Sequence, residues 1–153
     1  MLGGAGAVAA AAARLETVAG IGPVYNMLSD AVQEAQFKAR FSDGTRIHAW
    51  EVTREGSTSA DETAQAYSRT QQVVMHGYYS FKDGVSEPVF QALVDAVCLV
   101  FDPFAERRFP DGEGNAQFDW TGPLQIEGPK FAMKGNYLIH YVRMVFPMRE
   151  YPL

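Results

Sequence analysis

The chain has 153 residues, 47% apolar and 12% aromatic, so its length and composition suit one folded domain and exclude a wholly disordered chain. Thirteen basic and eighteen acidic residues give a net charge of −5, which disfavours tight, sequence-independent DNA binding, because such binding needs clustered cations. The single cysteine excludes an intrachain disulfide, and no uncharged apolar stretch reaches the roughly 18 residues that span a bilayer, so we expect a soluble intracellular protein.

The N-terminal region is dominated by alanine and glycine. Residues 1–13 are predicted to form a flexible Gly/Ala-rich lead-in, and the alanine-rich run of residues 8–19 favours a helix that Gly20 terminates. Residues 24–27 are then predicted to form an edge strand, and residues 28–41 a short helix.

Two strands joined by a polar segment follow. Residues 47–54 alternate, with Trp50 on one face, and residues 70–81 alternate more clearly, with Met75 on the apolar face. Residues 56–68 between them contain almost no large apolar side chain. We therefore predict a long polar hairpin loop here, mobile in an isolated subunit and ordered by contact with neighbours.

The most regular pattern in the chain predicts a helix over residues 86–101. Ser86 is placed to cap it, and apolar residues repeat at spacings of three and four up to Phe101. Cys98 lies inside this apolar run, so it is interpreted as a buried small side chain rather than a nucleophile. Residues 104–120 contain several prolines, glycines and aromatics. They are predicted to form a long irregular segment that docks on another surface.

The last part of the chain predicts two strands. The first is broken at Gly128-Pro129, and the second, residues 137–148, is apolar on both faces. Because such a strand must be covered on both sides, we expect another subunit to provide the second cover. The predicted class is α+β, with an N-terminal helix and one long central helix on a mainly antiparallel sheet, as a single domain over residues 1–153.

The sequence contains no clear catalytic or metal-binding motif. His48, His76 and His140 all lie on predicted strands and would converge on a metal only if those strands were neighbours in register. Their spacing carries no metal-binding motif, and ordinary sheet or interface histidines are the favoured interpretation. The sequence has no nucleophile elbow and no phosphate-binding loop. We assign no catalytic residue, cofactor or metal and predict that the chain is not an enzyme.

The order of the elements nevertheless resembles a known family. The segments that carry the likeness are Ile-Gly-Pro-Val-Tyr at residues 21–25, Trp-Glu-Val-Thr-Arg at 50–54 and His-Gly-Tyr-Tyr at 76–79, followed by the helix and a closing strand pair. Over residues 14–146 the chain is similar to the tail terminator, or tail completion, proteins of long-tailed bacteriophages, which share the fold of the phage lambda terminator. Residues 104–120 form a longer connection than is usual in that family.

The resemblance implies a virion protein without a cofactor. Such proteins assemble in the host cytoplasm into a homo-hexameric ring at the head–tail junction, where the ring caps the tail tube protein and meets head connector, stopper or adaptor proteins. DNA passes through the lumen without tight binding, and no membrane is involved. Head-completion proteins share much of this fold, so that role stays open, as does a dimeric α+β barrel that binds a small ligand or a metal through the three histidines.

Polar and aromatic residues in the two segments expected to make contacts are the candidate interface residues. They are Arg54, Asp61, Glu62, Tyr67, Arg69, Arg107, Arg108, Phe109 and Trp120.

Overall fold

The computed structural model of the protein describes residues 3–26, 47–63, 66–80, 86–101, 108–110, 116–120, 122–134 and 137–150. The elements in chain order are α1 (Gly3–Leu15), β1 (Val24–Tyr25), β2 (His48–Thr63), β3 (Ala66–Ser80), α2 (Ser86–Val100), β4 (Arg108–Pro110), β5 (Ala116–Trp120), β6 (Gln125–Lys134) and β7 (Tyr137–Glu150).

The described strands form one sheet in the order β1-β2-β3-β7-β5-β4, and β6 also pairs with β7. All pairings are antiparallel except the short parallel contact between β1 and β2. β7 pairs with β3 from Ile139 to Glu150 on one side, while β6 and then β5 occupy its other side. The predicted α+β class is therefore confirmed.

The two described helices pack on one face of this sheet, which we call the helix face. Trp50, Met75 and Met144 lie fully buried there, in one cluster with apolar residues of α1 and α2. The Phe90 ring of α2 stacks on Tyr79 with centroids 5.7 Å apart, and Phe101 contacts Phe146 at 5.1 Å. The predicted packing of the central helix on the sheet is thus confirmed.

The other side of the sheet, which we call the opposite face, is also buried in part. Ile47, Ala49, Tyr78 and Ile139 form a second cluster on it. They are 6% exposed or less within a single chain. The chain itself therefore buries these four positions, and the expectation that another subunit covers the rest of this face stays a prediction.

The start of the chain differs from its prediction. The helix covers Gly3–Leu15 instead of residues 8–19, and residues 1–13 do not form a flexible lead-in over the described positions. The helix begins closer to the N-terminus than predicted because Ala7, Ala11 and Leu15, which are spaced four residues apart, are all buried against the core. Gly20 has a left-handed conformation, with φ of 76°, but it lies five residues beyond Leu15, so the prediction that it terminates the helix is wrong. The short helix expected at residues 28–41 lies outside the described residues.

The predicted polar hairpin loop is not confirmed over the described residues. The pairing of β2 with β3 continues as far as Thr63↔Ala66. The polar residues of this segment therefore lie on paired strands and not in an irregular loop. The pairing shifts between Arg54 and Gly56 and again between Asp61 and Thr63. Backbone hydrogen bonds to an adjacent strand hold such a segment even where its side chains are too polar to form a core.

Residues 104–120 are not wholly irregular either. β4 and β5 form an antiparallel pair within this segment, and β5 adds to the edge of β7 through Phe118↔Glu150. Phe109, Phe118 and Trp120, three of the aromatics that suggested docking, therefore lie on strands of the chain's own sheet, while Phe104 lies outside the described residues. By contrast, the predicted break in β6 is confirmed as a shift in its pairing between Glu127 and Lys130.

Candidate functional site

Most of the predicted interface residues lie at one end of the sheet, where β7 ends at Glu150. The strand register places Ser59, Arg69, Glu150, Phe118 and Phe109 in one row across five strands. Adjacent strands are about 4.8 Å apart, so Arg69 and Phe109 are separated by roughly 14 Å along this row. The register thus brings two segments that are distant in sequence to the same end of the molecule.

Other predicted residues lie in neighbouring rows. Arg108 is opposite Asp119, and Trp120 is opposite Met148. Asp61 and Tyr67 are paired with each other farther along the hairpin, and Glu62 lies at the second register shift. We call residues 60–63 of β2 and 66–68 of β3 the hairpin end, because their pairing continues past Arg69↔Glu150, the last β3–β7 pair.

Arg54 lies apart from this group, and Arg107 lies outside the described residues. Arg54 is exposed and occupies the strand position opposite Val73. Its Nη1 donates a long hydrogen bond of 3.4 Å to Oε1 of Gln71. Together with Ala5, Val8, Asn26 and Thr53, Arg54 lines an open groove of about 380 Å³ between α1 and β2, which we call the α1–β2 groove.

The three histidines do not converge. His48 and His140 both pair with Tyr79 from opposite sides, so they lie two strand spacings apart on the helix face. His76 is an odd number of residues from Tyr79 and therefore belongs to the opposite face. No group of three or more metal-ligating side chains occurs among the described residues. The three-histidine site of the barrel hypothesis is therefore wrong.

The contacts of His140 indicate a structural role. It is 1% exposed, its Nε2 lies 3.0 Å from Oγ of Ser86, and its ring stacks on Phe90. Burial lowers the pKa of His140 below its ordinary value of 6.5, and the nearby Glu87 carboxylate only partly opposes this effect. The imidazole is thus neutral at pH 7 and connects the first turn of α2 to β7.

A polar network crosses the opposite face of the sheet. The Tyr78 hydroxyl donates a 2.8 Å hydrogen bond to the buried Glu51 carboxylate, and Nδ1 of His76 lies 2.6 Å from the Tyr141 hydroxyl. Arg143 forms ion pairs with Glu55 and Glu127. These contacts join β2, β3, β6 and β7 through side chains as well as backbone.

Burial raises the pKa of Tyr141, although Arg143 opposes that shift. Burial also raises the pKa of the half-buried Cys98 thiol, with a further contribution from Asp95. Both groups are therefore protonated at pH 7. A protonated thiol is a poor nucleophile, which agrees with the structural interpretation of Cys98.

The structure reveals one candidate interaction surface that the sequence did not predict. Ile126, Phe131, Met133 and Leu138 are all exposed large apolar residues, and the register places them on the helix face of β6 and β7. Met133 is 67% exposed and lies directly opposite Leu138. We call these four residues the β6 patch. The alternation of Phe131 and Met133 was visible in the sequence, but not that this side of β6 is left uncovered.

None of the described helices is both long and apolar enough to cross a membrane. Neither the protein-family models nor the curated proteins compared with this chain include one that matches it.

Proposed function

We propose that this protein is a structural subunit of a phage virion that assembles as a hexameric ring at the head-proximal end of the tail. The ring ends polymerisation of the tail tube and provides the interface to the head. The similarity of element order to tail terminator proteins supports the assignment. The α+β fold, in which the two described helices lie on one face of the sheet, agrees with it.

The observation that carries the proposal is the β6 patch. Exposed apolar side chains that lie next to one another on a surface mark interaction sites, because leaving them in water is unfavourable. Phe131, Met133 and Leu138 are neighbours on two paired strands, so they form one surface rather than scattered contacts. A ring subunit needs such a surface for its neighbours.

The hairpin end differs from the β6 patch in composition. Residues 56–68 contain two carboxylates and no lysine or arginine. The Lys134↔Tyr137 pair of β6 and β7 and the hairpin end lie at opposite ends of β7. A subunit with distinct surfaces at its two ends can contact different partners on either side, as an assembly between tube and head requires.

The proposal is tested by adding the purified protein to polymerising tail tube protein. We expect tubes that stop growing and carry the protein at one end, as seen by negative-stain electron microscopy. Unchanged tube growth and no binding to tube ends would contradict termination. Capture of adaptor or portal protein without tube protein would assign the head-completion role instead.

A further inference from the structure

The β6 patch and the α1–β2 groove lie on opposite sides of the same sheet. β3 and β7 separate β2 from β6, and within the described residues no strand pairs with the outer edge of β6. Both surfaces belong to the helix face, because Ala5 and Val8 of the groove lie on α1 and the patch lies on that side of β6 and β7. The sheet of one copy can therefore follow the sheet of the next without turning over.

The two surfaces also lie at the same level along the strands. The register puts one residue of the patch in a row with three buried residues of the sheet, namely Ile126, Met144, Met75 and Val52. Thr53, the residue after Val52, lines the groove. When two copies stand side by side at one height, the near end of the patch meets the groove.

The groove is suited to an aliphatic side chain. It is an open space of about 380 Å³, and Ala5 and Val8 give it an apolar wall. The exposed Arg54 can cover an apolar partner with its aliphatic stem while its guanidinium group stays in water. Ile126 is 44% exposed in its own chain, so docking removes further apolar surface from water.

The exposed area of the patch fits a contact between two copies. Its four residues are between 44% and 67% exposed. At about 200 Å² for a fully accessible large side chain, they leave roughly 400 Å² of apolar surface in water. A stable interface buries about 800 Å² on each partner, so the patch supplies roughly half of one partner's share as an apolar centre.

We propose that the β6 patch of one copy packs into the α1–β2 groove of the next, with Ile126 against Ala5 and Val8. This inference rests on the proposed ring and names the contact between its subunits. The occupant is a second copy because one chain carries both surfaces, on the same face and at the same level. The two surfaces differ, so the contact is heterologous, which is the type that generates a closed ring when the rotation between subunits allows it.

The test is cross-linking of engineered cysteines in a Cys98→Ala background, which removes the one native thiol. Ala5→Cys protein is mixed with Ile126→Cys protein and treated with a short bis-maleimide. The matched control replaces Ala5→Cys by Ala13→Cys, an exposed alanine about 12 Å farther along α1. The first mixture should give at least about tenfold more covalent dimer than the control, because thiols held side by side react at a high effective concentration.

A second measurement tests the groove without cross-linking. Ala5→Glu puts a charge where the proposed contact is apolar, so it should weaken self-association about tenfold in sedimentation velocity. Ala13→Glu should associate like the unmodified protein. Both positions are exposed, so both variants should keep the thermal unfolding of the unmodified chain.

The outcomes separate this inference from the proposed function. Rings that form but give no dimer above the control would overturn the groove contact and leave the ring proposal intact. Equal cross-linking of Ile126→Cys protein with itself would show that the patch packs on another patch, which also overturns the contact. Unchanged association of Ala5→Glu would count against the groove, and an unmodified protein that stays monomeric would contradict both proposals.

Discussion

Replacing Gly77 with alanine would place a methyl group against the indole of Trp50. A Cβ atom at this position would lie 2.8 Å from two ring carbons of Trp50 and 2.9 Å from Cγ1 of Val142. Carbon atoms in contact are normally about 3.5–4.0 Å apart, and Trp50 is fully buried, so the ring has little freedom to retreat. The glycine is needed because β2, β3 and β7 place Trp50, Gly77 and Val142 in one row.

The expected cost follows from these distances. Overpacking a well-filled core costs about 1–3 kcal/mol. Alanine also lowers the conformational entropy of the unfolded protein, which offsets roughly 0.4–1 kcal/mol of this cost. The difference is centred at about 1.3 kcal/mol, so we expect Gly77→Ala to reduce the free energy of unfolding by about 1 kcal/mol and to lower Tm by about 2–4 °C.

The assay is thermal unfolding followed by circular dichroism, with Gly56→Ala as the matched control. Gly56 lies in the same hairpin, but a Cβ added there would have no atom within 4 Å. That variant should melt at or slightly above the temperature of the unmodified protein. A Gly77→Ala protein that melts no lower than Gly56→Ala would refute the proposed packing of Trp50.

Further predictions concern assembly, pH and DNA. Replacing Phe131 and Met133 together by serine should abolish higher-order assembly without unfolding the subunit, whereas Leu99→Ser, at a residue 70% exposed on α2, should leave assembly unchanged in sedimentation velocity. Because burial lowers the pKa of His140, the unfolded chain takes up its proton first. Stability should therefore be complete above about pH 6.5 and fall as the pH drops below it, by at most about 1.4 kcal/mol per pH unit. Urea unfolding between pH 7.5 and 5.5 should show a smaller fall for His140→Gln, and equal slopes for both proteins would contradict this. Double-stranded DNA should bind the assembled protein only weakly at physiological salt, because the net charge is −5, and micromolar affinity in a filter-binding assay would show that cations line the DNA path.

The periodic parts of the fold were predictable from the sequence. The spacing of Phe90, Val94 and Val97 predicted the buried side of α2, and the alternation of Trp50 and Met75 predicted the helix face. In these segments the burial pattern itself determines the element. The break at Gly128-Pro129 was also predictable, since these residues interrupt strand pairing.

The polar strands and the surfaces were not predictable in the same way. Residues 56–63 have no apolar period, and their strand structure depends on backbone pairing with β3, which their own side chains do not encode. α1 begins earlier than its sequence suggested because Ala7 gains stability only from contact with the sheet. Whether Phe131 and Met133 face solvent depends on which strand sides the helices cover, and this is a property of the tertiary arrangement.

Electron microscopy of the purified protein tests the central claim most directly, because the proposed role requires a closed ring. The account predicts six-fold particles with a central hole wide enough for double-stranded DNA, and a mass near six times the 16.9 kDa of one chain in solution. Particles that remain monomeric at every protein concentration, or form two-fold dimers without a hole, would contradict it.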